Sequence, residues 1–130
     1  MSIADALAVA DEVSPTPARA VTALKVLRAA LSHVGPDSAL MAFLEEHVRQ
    51  VDVEGYAPEH DDEHGDGSLA AAAACYAMHA GGMPWELCEK YWPWEPHTFK
   101  PGTPKRDMEK AGGLLVAEWQ RVQRAEVASG

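Results

Sequence analysis

Apolar residues recur at three- and four-residue intervals through most of this chain, the spacing of one helix face. Ser2 with Asp5 three residues on predicts a capping box opening a short helix that reaches about Val13. Ser14-Pro15-Thr16-Pro17 breaks it, and Thr16 can cap the next helix with Pro17 in the first turn. Val21, Leu24, Leu27, Leu31 and Val34 then share one face, and Gly35-Pro36 stops the helix. Asp37 or Ser38 can cap a third helix, whose stripe is Leu40, Phe43, Leu44, Val48 (or His47) and Val51, with Gly55 at its end.

The pattern then fails over residues 56–67, which read as a polar loop. Asp66 or Ser68 starts a helix from Leu69 to about Ala80, nearly all alanine and so strongly helix-forming. Gly81-Gly82 ends it, and a short helix over Pro84 to Tyr91 can follow. An aromatic, proline-rich connector spans 92–102. Thr103 caps a last helix with Pro104 in its first turn, running to about Ala125, with Met108, Ala111, Leu115, Trp119 and Val122 on one face. Gly112-Gly113 in its middle disfavours helix by up to ~1 kcal/mol per glycine. That points to close packing there, with the alanine-rich helix as the expected partner. The expected fold is all-α with five to six helices and no strand. Residues 1–35 read as an N-terminal helical hairpin, and residues 37–130 as a helical core domain with the long C-terminal helix on the alanine-rich one.

Composition fits this picture: 130 residues at 47% hydrophobic suit one domain, or one with an appendage. No stretch approaches the ~18 apolar residues of a membrane helix, and Met1–Ala10 carries Asp5 and lacks the basic start of a signal peptide. Cys75 and Cys88 are too few for a disulfide scaffold and read as reduced thiols of a cytoplasmic protein.

Charge changes the picture more. The net charge is −9, which argues against duplex DNA and anionic membranes as partners. Between Glu45 and Asp66 stand nine acids and one base, Arg49, so −8 of the total lies in this one window. It also holds His47, His60 and His64, three of the six histidines. The string His60-Asp61-Asp62-Glu63-His64, with Glu54 upstream and Glu118 on the last helix, offers oxygen and imidazole ligands for a divalent cation. Carboxylates favour Mg²⁺ or Mn²⁺; the histidines shift the preference towards Mn²⁺, Fe²⁺ or Zn²⁺. The competing readings are a solvated acidic loop and, for Glu118, a simple ion pair with Arg121.

A basic cluster has the opposite sign. Lys105, Arg106 and Lys110, with Lys100, surround the start of the last helix, a natural setting for phosphate. Alternatively, these cations pair with the acidic window. Trp92 and Trp94 are candidates for stacking on a base, or for plugging the edge of a small core. His79 reads as a partner of its helix's C-terminal dipole, and Tyr56 and Tyr76 as packing residues. No catalytic residue is assigned.

Several strings occur in order: Glu54-Gly55-Tyr56, Glu59-His60-Asp61-Asp62-x-His64, Gly67-x-Leu69-Ala70-x-Ala72-Ala73, Tyr76-Ala77, Trp92-Pro93-Trp94, Lys100-Pro101, Arg106-Asp107, Lys110-Ala111-Gly112 and Ala117-Glu118 with Arg121. This pattern, over about Glu45 to Arg124, resembles a group of small proteins of tailed bacteriophages and prophages. The resemblance implies a phage or prophage origin and the host cytoplasm as the setting, and brings no activity with it. A weaker similarity is to MazG-like all-α nucleotide pyrophosphohydrolases, which carry a Glu-x-x-Glu pair and a later Glu-x-x-Asp. Here Glu59-x-x-Asp62 has the second spacing, while Glu86-x-x-Glu89 stands in a different region. His60-Asp61 also matches the dipeptide of helical HD-type phosphohydrolases.

Two functional expectations result. In the first, His60, Asp61, Asp62 and His64 hold a cation, with Glu54 or Glu118 as a further ligand. Lys105, Arg106 and Lys110 hold phosphate, and Trp92 or Trp94 stacks on the base of a nucleotide, with phosphohydrolysis as the associated chemistry. In the second, the chain is a non-enzymatic interaction or counter-defence protein that binds a host protein through its acidic surface, with self-association through the N-terminal hairpin.

Overall fold

A computed structural model describes residues 1–130. It is all-helical: α1 (Ile3–Ala10), α2 (Pro17–Leu31), α3 (Ala39–Asp52), α4 (Pro58–Asp62), α5 (Ser68–Ala80), α6 (Trp85–Tyr91) and α7 (Pro104–Ser129), with a 3₁₀ turn at Pro96–Thr98. There are therefore seven helices where the pattern predicts five to six. The added one is α4, inside the expected loop. Pro58 starts it after an extended Ala57, and Glu59 and Asp61 in its first turn complement the helix dipole.

The chain divides into two compact units, Met1–Met41 and Ala42–Gly130. In the first, α1 packs against α2. Ser2 Oγ accepts the Asp5 N–H at 3.0 Å, and the Asp5 carboxylate accepts the Ser2 N–H at 3.3 Å, completing the predicted capping box. Thr16 caps α2 as expected. Within α2 the expected apolar face is partly buried only at Leu27: Val21, Leu24 and Leu31 are exposed, and Leu27 meets Ala6 and Val9 together with Ala23 and Val26. Small residues on both sides let the backbones approach, and that contact sets the helix phase.

In the second unit α5 lies along α7, and α6 and α4 pack on α5 and α7 respectively. The core is Leu69, Ala72, Ala73, Cys75 and Tyr76 of α5 with Cys88, Phe99, Ala111 and Leu114; Trp92 and Trp94 cover it. Both cysteines are free, and burial pushes their thiols up. The long helix thus does rest on the alanine-rich one, but on a different face from the one the apolar pattern marks. Asp107, Ala111, Leu114, Glu118 and Arg121 recur at 4-3-4-3 spacing along its inner side. Met108, Leu115, Trp119 and Val122 are exposed, as are Leu40, Leu44 and Val48 of α3. The Gly112-Gly113 contact is close, but its partner is α3, not α5. A β-carbon built on Gly112 would overlap the Phe43 ring, and one on Gly113 would lie 3.0 Å from Glu46 Cγ and Gln50 Nε2.

Candidate functional site

Gly112 and Gly113 of α7 leave room for Phe43, Glu46 and Gln50 of α3, and a charged group is buried at that contact. Glu46 of α3 is 3% exposed yet ionised between two guanidinium groups. Arg49 reaches it with two hydrogen bonds of 2.9 and 2.7 Å, and Arg106 of α7 pairs with its other side at 2.7 Å. Burial pushes the Glu46 carboxyl up, but the hydrogen bonds from Arg49 and Arg106 outweigh it and hold the group below its ordinary value of 4.5. A depressed carboxyl contributes stability that is complete above the ordinary value and is lost as pH falls through the folded-state value. The stability difference between the native protein and Glu46→Gln, followed by urea unfolding, should therefore be largest near neutrality and shrink below pH 4.5. A gap that stays constant with pH excludes this role.

Beside this triad opens a cavity of ≈ 370 Å³, within the usual size of small-molecule pockets. Four cations line it, Arg49, Lys100, Arg106 and Lys110, against two carboxylates, Glu46 and Glu54. Four aromatic rings complete the wall, Tyr56, Tyr76, Trp92 and Trp94. The carboxylates are committed: Glu46 as above, and Glu54 to Arg49 at 3.0 Å. Lys110 forms no ion pair; its Nζ donates to the Lys100 carbonyl at 2.5 Å and stands 5.3 Å from the centre of the Tyr76 ring. Burial, with Arg106 nearby, pulls its ammonium below the usual lysine range. Burial likewise raises the Tyr56 and Tyr76 phenols, which stay neutral, and Tyr76 Oη accepts the Lys100 N–H at 3.2 Å. Two groups of lining residues are buried without a hydrogen-bond partner, the indole N–H of Trp94 and the amide oxygen of Gln50.

Of the expected phosphate and base-stacking set, Arg106, Lys110, Trp92 and Trp94 meet here, and Lys105 stays exposed outside the lining. Trp92 also serves the core, packing near Tyr76 and Phe99 and donating to Thr98 Oγ1 at 2.9 Å. The expected cation ligands fall in four places. His60 and His64 face each other, Nε2 to Nε2, at 3.3 Å. Asp61 is buried beside His60, and burial raises its carboxyl despite the imidazole. Asp62 is exposed and bound by Arg124 at 2.8 Å, and Glu54 lines the cleft. Glu118 pairs with Arg121 on α7. No three His, Cys, Asp or Glu side chains form a metal-binding group.

A second, smaller cavity of ≈ 190 Å³ adjoins the first; Tyr56, Trp94 and Thr98 line both, and His60 and His64 line this one. The Tyr56 ring stacks on His60 with centroids 4.7 Å apart, and His64 meets Trp94 at 5.2 Å. His79 Nδ1 and Asp107 Oδ2 are 2.5 Å apart, and Asp107 Oδ1 accepts the Gly102 N–H at 2.7 Å. Periodicity gives no sign of this pair, since its members are 28 residues apart. Arg49, Gln50, Tyr56 and Tyr76 are likewise cleft residues that no local motif announces.

No family model matches this chain, and neither a curated protein nor a solved structure matches it significantly.

Proposed function

We propose that the protein binds a phosphorylated small molecule with a planar ring, a nucleotide, in the cleft between α3, α7 and the aromatic connector. The observation that carries this reading is the lining itself. A lysine without a carboxylate, a buried unpartnered donor on Trp94 and a buried unpartnered acceptor on Gln50 surround one cavity. Buried polar groups of this kind are normally satisfied, and a nucleobase edge offers both complements. The phosphate would meet Lys110 and Lys100, with Arg106 held in place by Glu46, while Tyr56 offers a ring face. Both cleft carboxylates are tied to arginines, so the reading stops at binding.

Calorimetric titration with nucleoside mono- and triphosphates tests it, with inorganic phosphate and a free nucleoside as the two half-ligands. A nucleotide should bind more tightly than either half. Lys110→Ala and Trp94→Ala should each weaken it about tenfold, the loss of one charge-assisted contact or one hydrogen bond to the base edge. Lys105→Ala should leave it unchanged. Equal affinity for nucleotide and bare phosphate, or an equal loss in Lys105→Ala, rules the reading out.

A further inference from the structure

The pair of imidazoles behind Tyr56 and Trp94 has a chemistry of its own, and it does not depend on what fills the larger cleft. We infer that His60 and His64 form a two-imidazole site for a nitrogen-preferring transition ion of the Zn²⁺ or Co²⁺ type, with Asp61 orienting His60 from behind.

The distance is the first ground. Two nitrogens each ~2.1 Å from a tetrahedral ion stand about 3.4 Å apart. His60 Nε2 and His64 Nε2 stand 3.3 Å apart without any ion. The pair is also preorganised: the i, i+4 spacing across the end of α4 brings the rings together, Tyr56 fixes one by stacking and Trp94 borders the other.

The second ground is a buried carboxylate that has nothing else to do. Asp61 is 2% exposed, and its Oδ1 has no hydrogen-bond partner. It lies 3.5 Å from His60 Nδ1, which is also buried and unpartnered. Metal on Nε2 holds the imidazole proton on Nδ1, where it can donate to a carboxylate, and such partners fix the ring and raise its basicity. A hydrogen bond between two neutral imidazoles accounts for the 3.3 Å approach but not for placing an acid behind one of them. Oxygen-preferring Mg²⁺ is the poorer match, because the two convergent donors are nitrogens and Asp62, Glu54 and Glu118 are bound elsewhere by arginines. Water or an incoming anion from the adjoining cavity would complete the coordination.

The full-length protein would be titrated with Co²⁺, read by its visible ligand-field spectrum, and with Zn²⁺ by competition in excess Mg²⁺. One ion per chain is expected, unaffected by Mg²⁺. His60→Gln and His64→Gln should each weaken binding at least tenfold, Asp61→Asn about tenfold as a positioning residue, and His97→Gln not at all. Circular dichroism checks that each variant is folded. The unmutated protein supplies a readout that needs no variant: Zn²⁺ should protect His60 and His64, but not the exposed His33 and His97, from acylation by diethyl pyrocarbonate. Absence of that protection, or an equal loss in His97→Gln, overturns the site.

Discussion

Replacing Asp107 with alanine should lower the unfolding free energy by about 3–4 kcal/mol at neutral pH, because two hydrogen bonds to one fully buried side chain are lost together. Asp107 has no exposed surface. One of its oxygens holds the Gly102 N–H just before α7, and the other holds His79 at the end of α5. One side chain therefore ties together the start of one core helix, the end of another and the connector between them. It also sits in the first turn of α7, where the helix dipole favours a negative charge. Alanine leaves both partners without an acceptor and adds a cavity. Asp107→Asn keeps one acceptor and should lose about half as much. Urea unfolding measures both, and a loss below about 1 kcal/mol for the alanine variant would show that water replaces these contacts.

Gly112→Ala should also destabilise, by about 2 kcal/mol, although alanine is the better helix former by ~1 kcal/mol. The added methyl would occupy the space of the Phe43 ring, which lies flat enough on the α7 backbone that three of its carbons crowd the position. A ring cannot retreat as the tip of a flexible chain can, so α3 must shift or the ring must leave its place. Gly113→Ala meets Glu46 Cγ and Gln50 Nε2 at 3.0 Å and should lose less, because this approach is less severe than the overlap with the ring at Gly112. The decisive measurement is a double-mutant cycle with Phe43→Ala. In that background Gly112→Ala should become neutral or stabilising; equal effects in both backgrounds would separate the glycine from the ring.

The local rules of helix starts were legible in the chain. Ser2, Thr16 and Thr103 cap where the pattern places them, because a cap depends on residues two or three positions away. The phase of each helix was not. On α7 the larger apolar residues Leu115 and Trp119 face outward, while alanine, glycine and two carboxylates face inward. A count of apolar residues favours the first face. Close approach favours the second, where His79 and Arg121 hydrogen-bond the two acids. The same limit applies to the site. Lys110 and Trp94 stood out as unusual in sequence, and the fold brings them to one cavity. Tyr56, Tyr76 and Gln50 are unremarkable residues that join them through the crossing of helices far apart in the chain. The acidic window, which reads as one feature, is divided: Glu46 is buried between arginines, Glu54 borders the cleft, and Asp62 faces outward to Arg124.

The five residues of α4 have no side-chain cap, and Arg124 ties them to α7 through Asp62 and the Pro58 carbonyl. An element so short and so lightly anchored belongs to the part of a protein that opens first in native-state hydrogen exchange. When it opens, His60 leaves Tyr56, a residue that lines both cavities. A ligand seated against Tyr56 from either cavity would oppose that opening. Occupancy of one cavity would then ease filling of the other, a reciprocal coupling that hydrogen exchange of the α4 amides with each ligand in turn would read out.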